Sequence, residues 1–429
     1  VQDLRLSIAG LGTVGCGLLR LLQDDRRLGR QGVGFEVTGV SARNRNAERA
    51  VPVEQYRWFD DPVEMARDAN ADVFVELMGG ADGPAYDAVK AALEAGKAVV
   101  TANKALIALH GGELARIAEA NGAALRYEAA VGAGTPVIRG LRDGLAACSV
   151  ETIAGILNGT CNFILSEMGS TGAPFADVLA EAQRLGYAEA DPSFDVGGID
   201  AAHKLAILAT LAFDSEVSLD DIETTGIEAV TSQDLEEARR LGMGVKLLAT
   251  ATIVGERMAL RVCPALIAET SPLARAQGPE NVFIIDADSV GRVGFTGPGA
   301  GDMATAAAVA ADLVTVAKGA TGPVFASPAE RLQSLDASGA ADLVNAYYLR
   351  IPLHDEPGAL ASVATTLGEH GVSVERVSQR AEEDGTVSLV ITTHPCRAAT
   401  FAKARSALSE ARPVAGAFSA FPIADASYF

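Results

Sequence analysis

The sequence predicts an α/β chain in three parts: a doubly wound parallel domain, an α+β middle and a small βαββαβ module at the end. Three observations predict it. Through residue 131, short apolar runs alternate with helical patterns, as parallel βαβ units require. From 132 to 301 the order becomes mixed. After a Gly-, Pro- and Ser-containing stretch at 321–346, which reads as a linker, the run "YYLRIPL" begins a fresh alternation over 347–429. At 429 residues the chain has room for two to three domains of roughly 100 to 200 residues each.

In the first part, "LRLSIAG", "FEVTGVSA", "ADVFVELMG", "KAVVTAN" and "ALRYEAAV" read as strands. Between them "DPVEMARDAN", "GPAYDAVKAALEAG" and "GGELARIAEANG" carry helical spacing and end near Asn or Gly, as helix stops do. The middle part offers helical segments at 136–147, 173–185 and 199–213 and the β-like runs "VETIAGIL" and "VKLLATATIV". The Ala-rich amphipathic segment 303–320 is long enough to return and pack on the first domain.

Composition excludes several functions. Apolar residues at 49% against 21% charged describe a folded globular chain. A net charge of −20 disfavours nucleic acid and anionic membranes, whose binding needs clustered positive charge, so small molecules are the expected partners. Cys16, Cys148, Cys161, Cys263 and Cys396 form no C-x-x-C pair, which points to neither zinc nor a disulfide framework and fits a reducing cytoplasm. No apolar run approaches membrane-spanning length, and no basic leader precedes the first strand-like run, so the expectation is a soluble, unsecreted protein.

"LRLSIAGLGTVG" places Gly10, Gly12 and Gly15 in the order G-x-G-x-x-G, after an apolar strand and at the opening of a helical pattern. Gly10 makes the tight turn, Gly12 lets the backbone approach a pyrophosphate, Gly15 permits close helix packing, and the helix N-terminus attracts the anion. This is a Rossmann-type dinucleotide-binding signature, with Thr13 and Val14 inside it. At the end of the second strand an NAD site offers an acid to the ribose 2′-hydroxyl. This chain instead offers "VSARNRN", in which Ser41, Arg43, Asn44 and Arg45 suit a 2′-phosphate. NADP is therefore favoured, with NAD as the alternative; a solvated basic turn is the plainer reading.

"GYAEADPSFDVGGIDAAHK" brings Glu189, Asp191, Asp195 and Asp200 ahead of Lys204. Asp200 and Lys204 stand at i and i+4 of a helical pattern, where the ordinary reading is a surface ion pair contributing about 0.3–0.5 kcal/mol. The Pro- and Gly-containing loop before it must fold back near the helix start. Carboxylates converging there would bind a substrate ammonium and tune a partly desolvated lysine for proton transfer. His203 points roughly 100° away from that face.

The runs "GLGTVG", "ELMGG", "VTANKAL", "YEAAVGAGTPVI", "LNGTCNFIL", "GYAEADP", "GGIDAAHKLAIL" and "GPGAGDMATAAAV" follow one another in order over nearly the whole chain. They carry a resemblance to homoserine dehydrogenases with a C-terminal ACT domain. It implies reversible hydride transfer between L-homoserine and L-aspartate 4-semialdehyde, in threonine, methionine and isoleucine biosynthesis. By this resemblance Glu189 holds the substrate ammonium, Asp195 also binds substrate, and Thr160 and Tyr187 lie near it. Asp200 and Lys204 match the catalytic pair, with Lys104 of "TANK" sharing proton transfer beside the nicotinamide. The cofactor would further touch Met78, Gly79, Gly186, Gly299 and Gly301. Glu128, with the carbonyls of Val131, Ala133 and Thr135, resembles a monovalent cation site, sodium being the usual occupant; an uncoordinated hinge is the other reading of that turn. Ala304 stands where relatives usually carry proline, and Asp302 sits beside the glycine turn, which bears on loop geometry.

"YYLRIPLHDEPGALASVATTLGEHGVSVERV" resembles the opening of a ferredoxin-like ACT domain, with the regulatory turn at Asp355, Pro357, Gly358, Ala359 and Leu360. The resemblance implies threonine as effector and a homodimer or homotetramer; a module that only pairs subunits is the alternative. No kinase-like segment precedes the glycine turn, so a monofunctional enzyme is expected rather than a fusion with aspartate kinase. Two further readings use the same scaffold: a catalytically silent sensor of nucleotide and amino acid, disfavoured by intact Lys104, Glu189, Asp200 and Lys204, and another ACT-regulated amino-acid dehydrogenase.

Overall fold

A computed structural model describes residues 3–23, 28–320, 322–382 and 385–424. The chain forms two compact units. One comprises Val1–Val150, His203–Leu219 and Ala287–Ser334; the other comprises Glu151–Ala202, Asp220–Asp286 and Leu335–Phe429.

The first unit is built on strands β1 (Leu4–Ala9), β2 (Phe35–Ser41), β3 (Arg57–Phe59), β4 (Val73–Glu76), β5 (Ala98–Thr101) and β6 (Leu125–Arg126). They lie in the order β3-β2-β1-β4-β5-β6, all parallel. That order reverses direction between β1 and β4, which opens a crevice at the carboxyl ends of the strands where ligands bind in such folds. β3 was not expected from sequence, because "RWF" is too short to show alternation. The expected strand "ALRYEAAV" pairs only over Leu125–Arg126, and Ala129–Gly132 turns helical instead.

The core of this unit joins Leu6 and Ile8 of β1, Val73 and Val75 of β4 and Val100 of β5 with Leu18 and Leu19 of helix Thr13–Gln23. Helix Asp302–Ala317 buries Ala306, Val309 and Leu313 in that same core. Small side chains allow the approach: a Cβ on Gly17 would sit 3.3 Å from that of Ala306. The helix expected around "GGELARIAEANG" begins earlier, at Lys104, and runs to Ala120. Its paired glycines lie inside the helix, where a Cβ on Gly111 would come within 3.3 Å of Phe325 Cζ.

In the second unit the sheet order is Glu280–Ala287, Val150–Ile156, Met243–Val254, Arg257–Ala268, Ser419–Ile423, Val344–His354, Thr386–Thr393, Val374–Ala381. The last four strands, with helices Ala359–Glu369 and Ala398–Ser409, make the βαββαβ module, and Leu349, Ile351, Val363, Leu389 and Phe401 fill its own core. A buried charge fastens the module: Asp234, 0% exposed, accepts Arg350 Nε at 2.7 Å, Ser419 Oγ at 2.8 Å and Tyr348 Oη at 3.2 Å. Paired and hydrogen-bonded from several sides, this carboxylate meets the condition under which a buried charge is tolerated.

Candidate active site

The nucleotide end of the first unit is shaped by backbone. Gly10 has φ 101°, and a Cβ there would lie 2.2 Å from Leu77 O; one on Gly15 would lie 2.1 Å from Gly10 O. Gly12 has open space around its Cβ direction, and helix Thr13–Gln23 begins immediately after it. These are the three separate demands of a pyrophosphate cradle, so the residues fit a dinucleotide. After β2, Arg43 and Arg45 are exposed. Arg49, which the sequence reading passed over, donates to the carbonyls of Asn44, Arg45 and Ala47 and braces this loop. Arg45 and Arg49 both lie over the Trp58 ring, at 5.6 and 5.4 Å.

Across the switch point, β4 ends in Glu76, and Met78 and Gly79 follow in the turn. β5 ends in Thr101, and Asn103 caps the helix that starts with Lys104 by accepting Leu106 N–H at 3.1 Å. A cavity of about 560 Å³ is lined by Thr13, Val14, Lys104, Lys204, Val131, Ala133, Gly299, Gly301, Asp302 and Thr305, among others. The two expected lysines therefore share one cavity with the start of the glycine-turn helix. Gly10, Gly12, Gly15, Arg43, Arg45, Met78 and Gly79 are not among its lining residues.

Glu128 is 3% exposed. Its Oε1 accepts Ile138 N–H at 3.0 Å and its Oε2 accepts Arg139 N–H at 2.9 Å, while its own N–H donates to Asp312 Oδ2 at 2.8 Å. Burial and the neighbouring Asp312 carboxylate push the Glu128 carboxyl up to about 7. Ala133 adopts φ 47°, uncommon for a residue with a side chain, in the turn whose carbonyls were expected to face a cation. Among the described residues no cluster of three or more His, Cys, Asp or Glu side chains is placed to hold a metal ion, so any cation here would depend on backbone oxygens.

In the second unit the acidic loop converges on one asparagine. Asn158 Nδ2 donates to Asp195 Oδ1 at 2.7 Å and to Asp200 Oδ2 at 2.8 Å. Thr160 Oγ1 donates to Tyr187 O at 2.8 Å and lies 3.4 Å from Asp195 Oδ2. Thr160, Tyr187, Asp195 and Asp200 are thus brought together. Asn158 was missed because its Oδ1 also accepts Cys161 N–H at 2.7 Å, and an asparagine before a helix reads as an ordinary cap. Glu189 stands apart, exposed, while Gln183 Nε2 donates to its backbone carbonyl at 3.0 Å. Gly186, with φ 78°, closes helix Phe175–Arg184. Asp200 and Lys204 are one turn apart on helix Ile199–Phe213, 3% and 7% exposed. That burial removes the surface ion-pair reading.

Farther along this unit a cavity of about 440 Å³ is lined by Asp355, Gly358, Ala359, Leu360, His354 and Gln379, among others; Pro357 lies outside the lining.

A doubly wound sheet with a pyrophosphate cradle and a cavity lined by two lysines fit the class of NAD(P)-dependent oxidoreductases. Residues 10–128 match the NAD-binding domain of homoserine dehydrogenase, 136–314 match the homoserine dehydrogenase family, and 347–412 match the ACT domain. Homoserine dehydrogenase of Pseudomonas aeruginosa is 43% identical over 410 residues, 92% of each chain. That of Mycobacterium tuberculosis is 39% identical, over 96% of this chain and 95% of its own. The crystal structure of a homoserine dehydrogenase from Thiobacillus denitrificans superposes with TM-score 0.93 at 37% identity, covering 99% of both chains. A hyperthermophilic archaeal homoserine dehydrogenase in complex with NADPH gives 0.64 at 28% identity, over 73% of this chain and 97% of that one. The chain belongs to the homoserine dehydrogenase family, whose members are NAD(P)-dependent oxidoreductases acting on a CH–OH group.

Proposed function

We propose that the enzyme interconverts L-homoserine and L-aspartate 4-semialdehyde with NADP as the preferred cofactor, and that Lys204 and Lys104 handle the proton. The observation that carries this reading is the single cavity lined by both lysines and by Thr13 and Val14 of the nucleotide turn. The nicotinamide, when bound, supplies or accepts the hydride. During aldehyde reduction the Lys204 ammonium gives a proton to the carbonyl oxygen; during oxidation the neutral amine takes it from the hydroxyl. Asp200, fixed by Asn158 one turn before Lys204, orients that side chain. Asp195, held by the same amide, and Thr160 bind the amino-acid part, and Glu189 takes the ammonium. Homoserine oxidation followed by nicotinamide absorbance, with NADP and NAD separately and with and without threonine, tests the whole reading. Absence of turnover with either nucleotide would leave the silent sensor.

The preference for NADP rests on Arg43 and Arg45, held out by the Arg49-braced loop where no acid follows β2. Charge-assisted bonds to a phosphate are about twice as strong as neutral ones. The double variant Arg43→Ala, Arg45→Ala is expected to lose at least about tenfold in NADP affinity with NAD nearly unchanged. Equal weakening in calorimetric titrations would remove the arginines from 2′-phosphate recognition.

Sodium is the cation proposed for Glu128 and the carbonyls of Val131, Ala133 and Thr135. A carboxyl pushed up to about 7 holds its proton in place of the cation below that pH, so sodium binding strengthens as pH rises through about 7. The melting temperature in sodium chloride should then exceed that in choline chloride by a margin that grows from pH 6 to pH 8. Glu128→Gln should abolish the difference; a difference independent of Glu128 or of pH would place the cation elsewhere.

Threonine is the proposed effector at Asp355–Leu360. Gly358, at φ 91°, opens helix Ala359–Glu369 with no side-chain cap, which suits the carboxylate of a small amino acid. A homodimer or homotetramer is supported by the edge strand Val374–Ala381, which exposes Val377. A cytoplasmic location is proposed on the five free cysteines. Among the described residues no helix is long and apolar enough to cross a membrane.

A further inference from the structure

Glu76 is the last residue of β4, after Val73, Phe74 and Val75, and is 0% exposed. An acid costs free energy there that a fourth apolar residue would not, so its value must lie in the bonds it makes. Oε1 accepts the N–H groups of Met78 at 2.6 Å and Gly79 at 3.1 Å. Oε2 accepts the hydroxyl of Thr101, at the end of neighbouring β5, at 2.6 Å. The same hydroxyl oxygen accepts Asn103 N–H at 2.9 Å, and Asn103 Nδ2 donates to Gly80 O at 2.6 Å, which closes a ring. The remaining amide oxygen of Asn103 caps the helix whose first residue is Lys104.

The ring joins the Met78–Gly80 turn to the start of the helix that opens with Lys104. Gly79 and Gly80 both adopt left-handed φ, 77° and 84°, and no described residue lies within 4 Å on the Cβ side of the turn. Lys104 is half-buried and lines the cavity. Burial raises the Glu76 carboxyl while the bonds from Thr101, Met78, Gly79 and Asn103 oppose it, as expected of an acid retained for its hydrogen bonds.

We infer that Glu76 is a positioning residue for the reaction: through Thr101 and Asn103 it holds the Met78–Gly80 turn and Lys104 in fixed register at the carboxyl ends of β4 and β5. This rests on the reading that the turn and Lys104 both face the nicotinamide. Glu76→Gln keeps the shape, but its amide nitrogen cannot accept the Thr101 hydroxyl. Thr101→Val breaks the same link and leaves the bonds from Glu76 to the turn in place.

The test uses the full-length enzyme. Because a misplacement of about 1 Å can cost about 100-fold in rate, Thr101→Val and Glu76→Gln are each expected to lower kcat at least about tenfold, with KM for homoserine changing less than about threefold. The deuterium isotope effect on kcat with homoserine deuterated at C4 should rise, because hydride transfer becomes slower relative to the other steps. NADPH affinity, read by titration without substrate, should weaken several-fold, and Thr101→Ser, which keeps the hydroxyl, should restore all three readouts. If Glu76→Gln does not fold, Thr101→Val decides the matter alone. A Thr101→Val enzyme with a lower melting temperature but unchanged kcat, isotope effect and NADPH affinity would overturn the inference. Lys104→Ala with undiminished turnover would overturn the reading beneath it.

Discussion

Lys204→Ala is expected to lower homoserine turnover at least about 100-fold, the lower end of what a positioned acid-base group contributes. The side chain is buried at 7% exposure on helix Ile199–Phe213, one turn after a carboxylate that is itself fixed by Asn158. Lysine is rarely so buried unless it is paired, and a buried lysine in a cavity suits a reaction that moves a proton. Alanine is the strongest helix former, so the substitution preserves the helix and the loss appears in chemistry. NADP affinity should remain within about twofold, since the glycine turn and Arg43 and Arg45 are untouched. An enzyme keeping more than about a tenth of its turnover would show that Lys204 is not the principal proton carrier, leaving that role to Lys104.

The legible part of this protein is the part written in short-range rules. Gly10, Gly12 and Gly15 announce a tight turn, an open approach and close packing, and each glycine meets that demand in space. β1, β2, β4 and β5 declare themselves by apolar runs; β3 does not, because three residues carry no period. The Ala-rich helix Asp302–Ala317 could be read as amphipathic, but its close approach to helix Thr13–Gln23 depends on contacts almost three hundred residues apart in the chain.

The candidate site divides in the same way. Asp200 and Lys204 share a helix face, so their spacing alone joins them. Asn158, Thr101, Asn103 and Glu76 act between elements, each spending part of its hydrogen-bonding capacity locally and part at a distance. Locally they resemble caps and strand residues: Asn158 and Asn103 each accept a backbone N–H at the start of a helix. Their second bonds, to Asp195 and Asp200 in one case and to Gly80 in the other, arise only once the chain has folded. A sequence pattern carries the first kind of bond and has no term for the second.

Glu189→Gln is expected to raise KM for homoserine about tenfold or more, while KM for the nucleotide stays within about twofold. Glu189 has an anchored backbone and an exposed side chain: Gln183 Nε2 donates to its carbonyl at 3.0 Å and to that of Ala190 at 3.3 Å, holding the loop to helix Phe175–Arg184. An anchored loop can present a carboxylate at low entropic cost when a ligand arrives. The change to glutamine keeps size and hydrogen-bonding shape and removes the charge, so it isolates the attraction to an ammonium group. A substrate without that group separates recognition from a structural effect. Against 4-hydroxybutyrate, which has the reacting hydroxyl and no amine, wild type and variant should turn over alike, and the preference for homoserine should shrink by the factor lost in KM. Equal losses on homoserine, 4-hydroxybutyrate and nucleotide would mean that the Glu189 carboxylate supports the loop, and the ammonium partner would then have to be sought at Asp195, the acid that Asn158 already holds beside Thr160.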